Sequence, residues 1–129
     1  MVSPASRTPC DSTTIRAWTS GLKKIPPLAT VRIAAIQATK QTPTLIPLCH
    51  PLSLDRVEVL IERVDDGARI EVLCGVVART GVEMEAMTGA VIGAVTLDDM
   101  IKGIDRGATI ESVRLLSKSG GKSGEWTRE

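Results

Sequence analysis

Asp99 and Lys102 stand three residues apart, so on a helix they meet one turn apart with Cβ atoms about 5–6 Å from each other. Such a pair is either an ordinary surface ion pair or, where its face lines a pocket, an acid–base couple. In the second case the lysine keeps the carboxylate ionised and itself donates to a phosphate or a leaving oxygen. Spacing alone leans to the surface pair. His50, the only histidine, follows Cys49 in the proline-framed run Leu45-Ile-Pro-Leu-Cys-His-Pro-Leu52. An imidazole there suits general acid or base work near neutral pH, or a hydrogen bond that fixes the loop, and spacing alone favours the loop role. Neighbours in an extended segment point to opposite sides, which disfavours a Cys49–His50 dyad. Cys10, Cys49, His50 and Cys74 formally make a zinc set of three thiols and one imidazole, but the close ligand pairs of such sites are missing, so no metal is expected. Ser117-Lys-Ser-Gly-Gly-Lys-Ser-Gly124 invites comparison with a phosphate-binding loop, yet Leu116 stands where the signature needs Gly and a short tail follows instead of a helix. Backbone N–H groups with Lys118 and Lys122 suit an anion, and a mobile solubilising tail fits the same residues equally well.

These groups need a frame, and 129 residues suit one compact domain, 1–129, with a single core. Sixteen Lys and Arg against fifteen Asp and Glu leave a net charge of +1, so any charge with a purpose is local. Phe and Tyr are absent and Trp18 and Trp126 are the only aromatics, which removes the stacking platforms that hold single-stranded nucleic acid. No nucleic-acid partner is expected. An odd count of three cysteines without close spacing argues against a disulfide framework and for a reducing compartment, the cytoplasm. The uncharged apolar stretch Ala86 to Leu97 falls well short of the roughly 20 residues that span a bilayer, so no membrane partner is expected either. The first 24 residues carry one acid, Asp11, and superficially resemble a transit peptide, but no amphipathic stripe supports that and a frayed terminus is expected.

The apolar pattern after Pro26-Pro27 predicts a helix to about Lys40, stopped by Thr42-Pro43. Prolines 47 and 51 make the next segment an ordered, buried extended loop. Val57, Val59 and Ile61, then Ile70, Val72 and Cys74, alternate with charged residues around Asp65-Asp66-Gly67, which predicts a β-hairpin. Glu83 to Asp105 reads as a helix buried on every face. Its small residues, Gly89, Ala90 and Gly93, make it depend on tertiary or intersubunit packing. Ile110, Val113 and Leu115 suggest a last strand before the Gly, Ser and Lys-rich loop 117–124. The expected class is α+β: a ferredoxin-like antiparallel sheet covered by helices, its N-terminal strand missing or displaced.

Four motifs in order, Leu45 to Leu52, Thr80-Gly-Val-Glu-Met-Glu-Ala-Met-Thr88, Asp99-Met-Ile-Lys102 and Arg114 to Gly124, resemble the cyclic pyranopterin monophosphate synthase family, MoaC, of molybdenum cofactor biosynthesis. The helix Arg32 to Lys40 is similar to the family's helix before the Cys-His loop. The likeness covers about residues 24–126, whereas residues 1–23 diverge from the family's N-terminal strand and its early basic residues, and Asp98 replaces the usual Tyr.

The resemblance implies a phosphorus–oxygen lyase that converts a cyclised dihydro-GTP intermediate, made by a radical SAM partner, into cyclic pyranopterin monophosphate with release of pyrophosphate. It implies no cofactor and no metal. It places the catalytic acid–base role on Asp99 with Lys102 and assigns Lys24 to catalysis. Substrate binding falls on Leu48, Cys49, His50, Met84, Glu85, Lys40, Lys118 and Lys122. It implies a homohexamer built as a trimer of dimers, with sites at subunit boundaries. Two other readings stay open on the sequence: a catalytically weak relative that binds a purine nucleotide or pterin, and a structural oligomer without ligand.

Overall fold

The computed structural model describes residues 17–18, 28–64, 67–77, 81–103, 106–120 and 124–129. The elements in chain order are β1 (Ala17–Trp18), α1 (Leu28–Leu45), β2 (Arg56–Val64), β3 (Gly67–Gly75), α2 (Glu83–Ile101), β4 (Ser117–Lys118) and β5 (Trp126–Thr127). The hairpin forms as its alternation requires. Val57 pairs with Cys74, Val59 with Val72 and Ile61 with Ile70, so one face of the ribbon is apolar. Each of these residues turns inward, and α1 and α2 lie over that face. Near the N-terminus β1 pairs antiparallel with the Gly67–Ala68 end of β3. The sheet order is therefore β1-β3-β2, with β3 central and β2 at the edge. This is the expected α+β arrangement of helices on an antiparallel sheet. Among the described residues no helix is long and apolar enough to cross a membrane.

The first helix overruns its predicted stop. Pro43 lies inside α1, which continues to Leu45. Proline has no N–H, so the carbonyl four residues back, that of Thr39, loses its helical donor. The Thr42 hydroxyl takes the vacant place, donating to the Thr39 carbonyl at 3.0 Å and to that of Ala38 at 3.1 Å. Ile46 N–H then bonds the Thr42 carbonyl at 2.8 Å and closes the last turn. Thr42 is fully buried. Thr42→Val, which keeps the shape and removes the hydroxyl, should therefore cost about 1–3 kcal/mol, because a buried carbonyl loses its donor. A urea midpoint equal to the parent's would show that the hydroxyl is dispensable.

Helix α2 is buried on one face rather than on all. Ala86, Gly89, Ala90, Gly93, Ala94, Leu97 and Ile101 face the core, while Met84, Val91 and Val95 stay 37–49% exposed. A Cβ added at Gly89 would lie 2.7 Å from Thr39 Cγ2 and 3.0 Å from the Ala35 carbonyl oxygen, so the two helices touch almost backbone to backbone there. The helix ends at Ile101, before the expected Asp105. Lys102 caps it by donating its N–H to the Asp98 carbonyl at 2.8 Å, and Gly103 gives no incentive to continue. Ile104 and Asp105 lie outside the described residues.

The strand expected over Ile110 to Leu115 does not form beyond an isolated bridge at Ile110. Ile110 and Val113 both lean on the core, and residues three apart share a face in an irregular path but oppose each other in a strand. The ladder forms later, inside the segment expected to be a loop: Ser117 pairs with Thr127 and Lys118 with Trp126. Gly120 (φ 84°) and Gly124 (φ 67°) supply left-handed backbone between those strands. Arg128 holds the tail, bonding the Leu116 carbonyl through its backbone N–H and the Leu115 carbonyl through Nε, each at 2.7 Å.

Candidate functional site

The end of α1 hands the chain to a turn in which Cys49 N–H bonds the Ile46 carbonyl at 3.1 Å. That turn lays Leu48, Cys49, His50 and Leu52 against the first residues of α2. Together with Gly81, Glu83, Met84 and Glu85 they line an open cleft of about 180 Å³. Five residues expected to bind substrate, from two motifs more than thirty positions apart in the sequence, thus share one concave surface. Cys49 and His50 both line it, contrary to the expectation for adjacent residues, because the segment leaves a turn instead of running flat. Leu48, expected on a buried loop, is 92% exposed at the rim.

Electrostatics divides the work within the cleft. Burial pushes the Cys49 thiol above its ordinary value of 9.0, and the charge of Glu85 pushes it further. The thiol therefore keeps its proton at neutral pH and offers an S–H, not a thiolate nucleophile. Glu85 is itself buried. That burial raises its carboxyl above the ordinary 4.5; a bond to its own backbone N–H pulls the other way, and the nearby charge of Glu83 raises it again. A carboxyl whose folded pKa exceeds the unfolded one binds its proton more tightly in the native state. Its stabilising contribution is complete below about pH 4.5 and is lost as pH rises through the elevated folded value. The parent should accordingly lose stability relative to Glu85→Gln as pH is raised from below 4.5 toward neutrality. Urea midpoints of both proteins across that range check it, and a constant difference would contradict a secluded carboxyl.

The remaining expected residues divide in three. Lys118 does not line the cleft but lies beside it: its Nζ pairs with Oε1 of the lining residue Glu83 at 3.0 Å. Asp99 and Lys102 form their pair, Nζ to Oδ1 at 2.5 Å, but with side chains 67% and 65% exposed at the far end of α2. Fourteen residues of continuous helix separate Asp99 from Glu85, about 21 Å along the axis. Within one chain the carboxylate–ammonium pair and the cleft therefore do not meet. The Asp99 hydrogen bond and charge raise Lys102, with Asp98 adding a little, so this lysine stays a cation and a proton donor. Lys40 is exposed on α1 and does not line the cleft. Lys24, Lys122 and Cys10, with most of residues 1–23, lie outside the described residues. Gly81, Glu83 and Leu52 are cleft residues the sequence did not single out, although each sits within or beside a recognised motif.

A family model described as the MoaC family matches residues 6–121, nearly the whole chain. The chain belongs to the MoaC family. The matched stretch of this MoaC chain takes in the cleft, the Asp99–Lys102 pair and Lys118. It is 50% identical over 108 residues to a protein of Streptomyces coelicolor named cyclic pyranopterin monophosphate synthase, covering 84% of this chain and 64% of that one. A protein of the same name from Corynebacterium efficiens is 47% identical over 112 residues, covering 87% and 72%. One from Nocardioides is 47% identical over 111 residues, covering 84% and 68%. The chain thus spans somewhat under two thirds of the length of the Streptomyces coelicolor relative.

Proposed function

We propose that this chain is a cyclic pyranopterin monophosphate synthase, converting cyclised dihydro-GTP to cyclic pyranopterin monophosphate and pyrophosphate in molybdenum cofactor biosynthesis. The observation that carries the reading is the cleft in which Leu48, Cys49, His50, Met84 and Glu85 converge. It is concave, largely apolar and edged by a few polar groups, which suits the flat heterocycle of a purine-derived substrate. His50, the Cys49 S–H and Glu85 hydrogen-bond the base and ribose-derived edges, and Leu48 and Met84 supply apolar contact.

Re-forming the ring and closing a cyclic phosphate require proton transfers, which Asp99 performs. As the new P–O bond forms to a substrate hydroxyl, that hydroxyl gives up its proton and the bond to pyrophosphate breaks. Lys102, held as a cation by its partner, and Lys24, Lys40, Lys118 and Lys122 offset the charge that develops on the departing group. The reaction needs no metal or cofactor. Its substrate comes from a radical SAM GTP cyclase, and the setting is the cytoplasm.

Assembly joins the two halves of the site. Met84, Thr88, Val91, Val95, Asp99 and Lys102 recur at spacings of three and four, so they form one stripe along α2 from the cleft to the ion pair. Its apolar members are exposed in the single chain. Two copies of α2 laid antiparallel about a two-fold axis near Ile92 bring Asp99 of a second copy level with Glu85 of the first. The proposed enzyme is accordingly a homohexamer, a trimer of dimers with intersubunit sites. Incubating the purified protein with cyclised dihydro-GTP tests the reading: product and pyrophosphate should appear together, and binding without turnover would overturn it.

A further inference from the structure

Glu83 opens α2 and lines the cleft between Gly81 and Glu85. Its Oε1 accepts from Lys118 Nζ in a secluded pair, with the lysine side chain 12% exposed and the glutamate 27%. The contact ties β4 to the first turn of α2. That place is costly for an ammonium, because the unpaired amide N–H groups of a helix start carry partial positive charge. A carboxylate set there is attracted by both and fixes the lysine where it would not otherwise rest. Gly81 supplies a second, independent observation. A Cβ built on it would lie 2.6 Å from Glu83 Oε1, the same oxygen that receives Lys118. Any side chain at position 81 displaces that oxygen.

We propose that Glu83 is a positioning residue that holds Lys118 beside the cleft to receive the pyrophosphate end of the substrate, and that Gly81 leaves the room its carboxylate needs. The inference rests on the cleft being the substrate site. An ammonium has three donors, so the bond to Glu83 does not by itself exclude one to a phosphate oxygen. The same ion pair distinguishes positioning from simple charge. Glu83 is an anion near an anion's seat, so removing it would tighten anion binding if only net charge mattered. If the carboxylate positions the lysine, removing it weakens binding.

Inorganic pyrophosphate titrated calorimetrically into the full chain reads this without turnover, so a failure here is distinct from a failure to convert cyclised dihydro-GTP. Glu83→Ala, Gly81→Ala and Lys118→Ala should each weaken binding about tenfold, equivalent to some 1.4 kcal/mol. Glu83→Gln, which keeps an acceptor oxygen, should recover part of that loss. The Glu83→Ala/Lys118→Ala double variant should lose no more than either single one. Gly81→Ala leaves every charge in place and moves only the free end of a side chain, so it carries the expectation even if Glu83→Ala fails to fold. Unchanged or tighter binding in Glu83→Ala or Gly81→Ala, additive losses in the double variant, or a parent chain that does not bind pyrophosphate would each overturn the proposal.

Discussion

Asp99→Asn should lower kcat by about 10²–10⁴-fold while leaving the fold intact, because an amide of the same shape cannot carry the proton that a general acid–base group moves. The carboxylate is two-thirds exposed in the single chain and forms an ion pair with Lys102. Stability should therefore stay within about 0.5 kcal/mol of the parent. KM should change little, since the groups proposed to grip the heterocycle lie at the other end of α2. Turnover of cyclised dihydro-GTP by a folded Asp99→Asn protein at the parent rate would remove the assigned role. The separation of about 21 Å between Asp99 and Glu85 adds a sharper expectation. If each site takes Asp99 from one copy and the cleft from another, Asp99→Asn and His50→Ala proteins, each inactive, should complement when unfolded and refolded together. In a random mixture of two-fold pairs, about a quarter of the sites would be intact. A mixture as inactive as its components would place the whole site within one chain.

Gly89→Ala should destabilise the protein by about 1–3 kcal/mol, the usual cost of forcing a methyl into a filled interior. In a free helix the same change is favourable by about 1 kcal/mol, so the sign depends on which effect wins. Packing wins here. The new methyl would lie 2.7 Å from Thr39 Cγ2, on a stiff β-branched side chain, and 3.0 Å from a backbone oxygen of α1, and neither can swing aside. The helices must part, loosening the contacts of Ala35, Val72 and Ala90. Gly93→Ala is the control: its nearest neighbour is the Ala35 methyl at 3.3 Å, which a small shift accommodates. Guanidinium midpoints should place Gly93→Ala at or above the parent and Gly89→Ala below both. Gly89→Ala at or above the parent would mean that the crossing is not close-packed.

What could be read from the chain beforehand divides along physical lines. The hairpin was legible because Val57, Val59, Ile61, Ile70, Val72 and Cys74 all obey a period of two, and a single register satisfies them. The Leu48–His50 and Met84–Glu85 motifs are legible in the sequence, and in the structure they line one cleft. The end of α1 was misread because Pro43 normally stops a helix, and its rescue depends on one hydroxyl that reaches back a turn. Ile110, Val113 and Leu115 suggest a strand by their apolar character alone, but the three-residue step from Ile110 to Val113 breaks a period of two and no strand forms there. The pairing of Lys118 with Glu83 joins residues 35 positions apart, and no local pattern encodes it. The same holds for the gap between Asp99 and the cleft. Helical rise gives the distance, but which end of α2 the proline loop meets is a matter of tertiary packing.

The edge position of β2 has a consequence for handling the protein. Among the described residues β3 is its one strand partner; the Val59 carbonyl accepts from Arg32 Nη1, but no second strand pairs with the outer edge, on which another extended chain could template. Arg56, Glu58, Glu62 and Arg63 along that strand are all exposed and carry both signs over its length. Such gatekeeping charges discourage out-of-register stacking into fibrils, and concentrated salt, by screening them, weakens that protection.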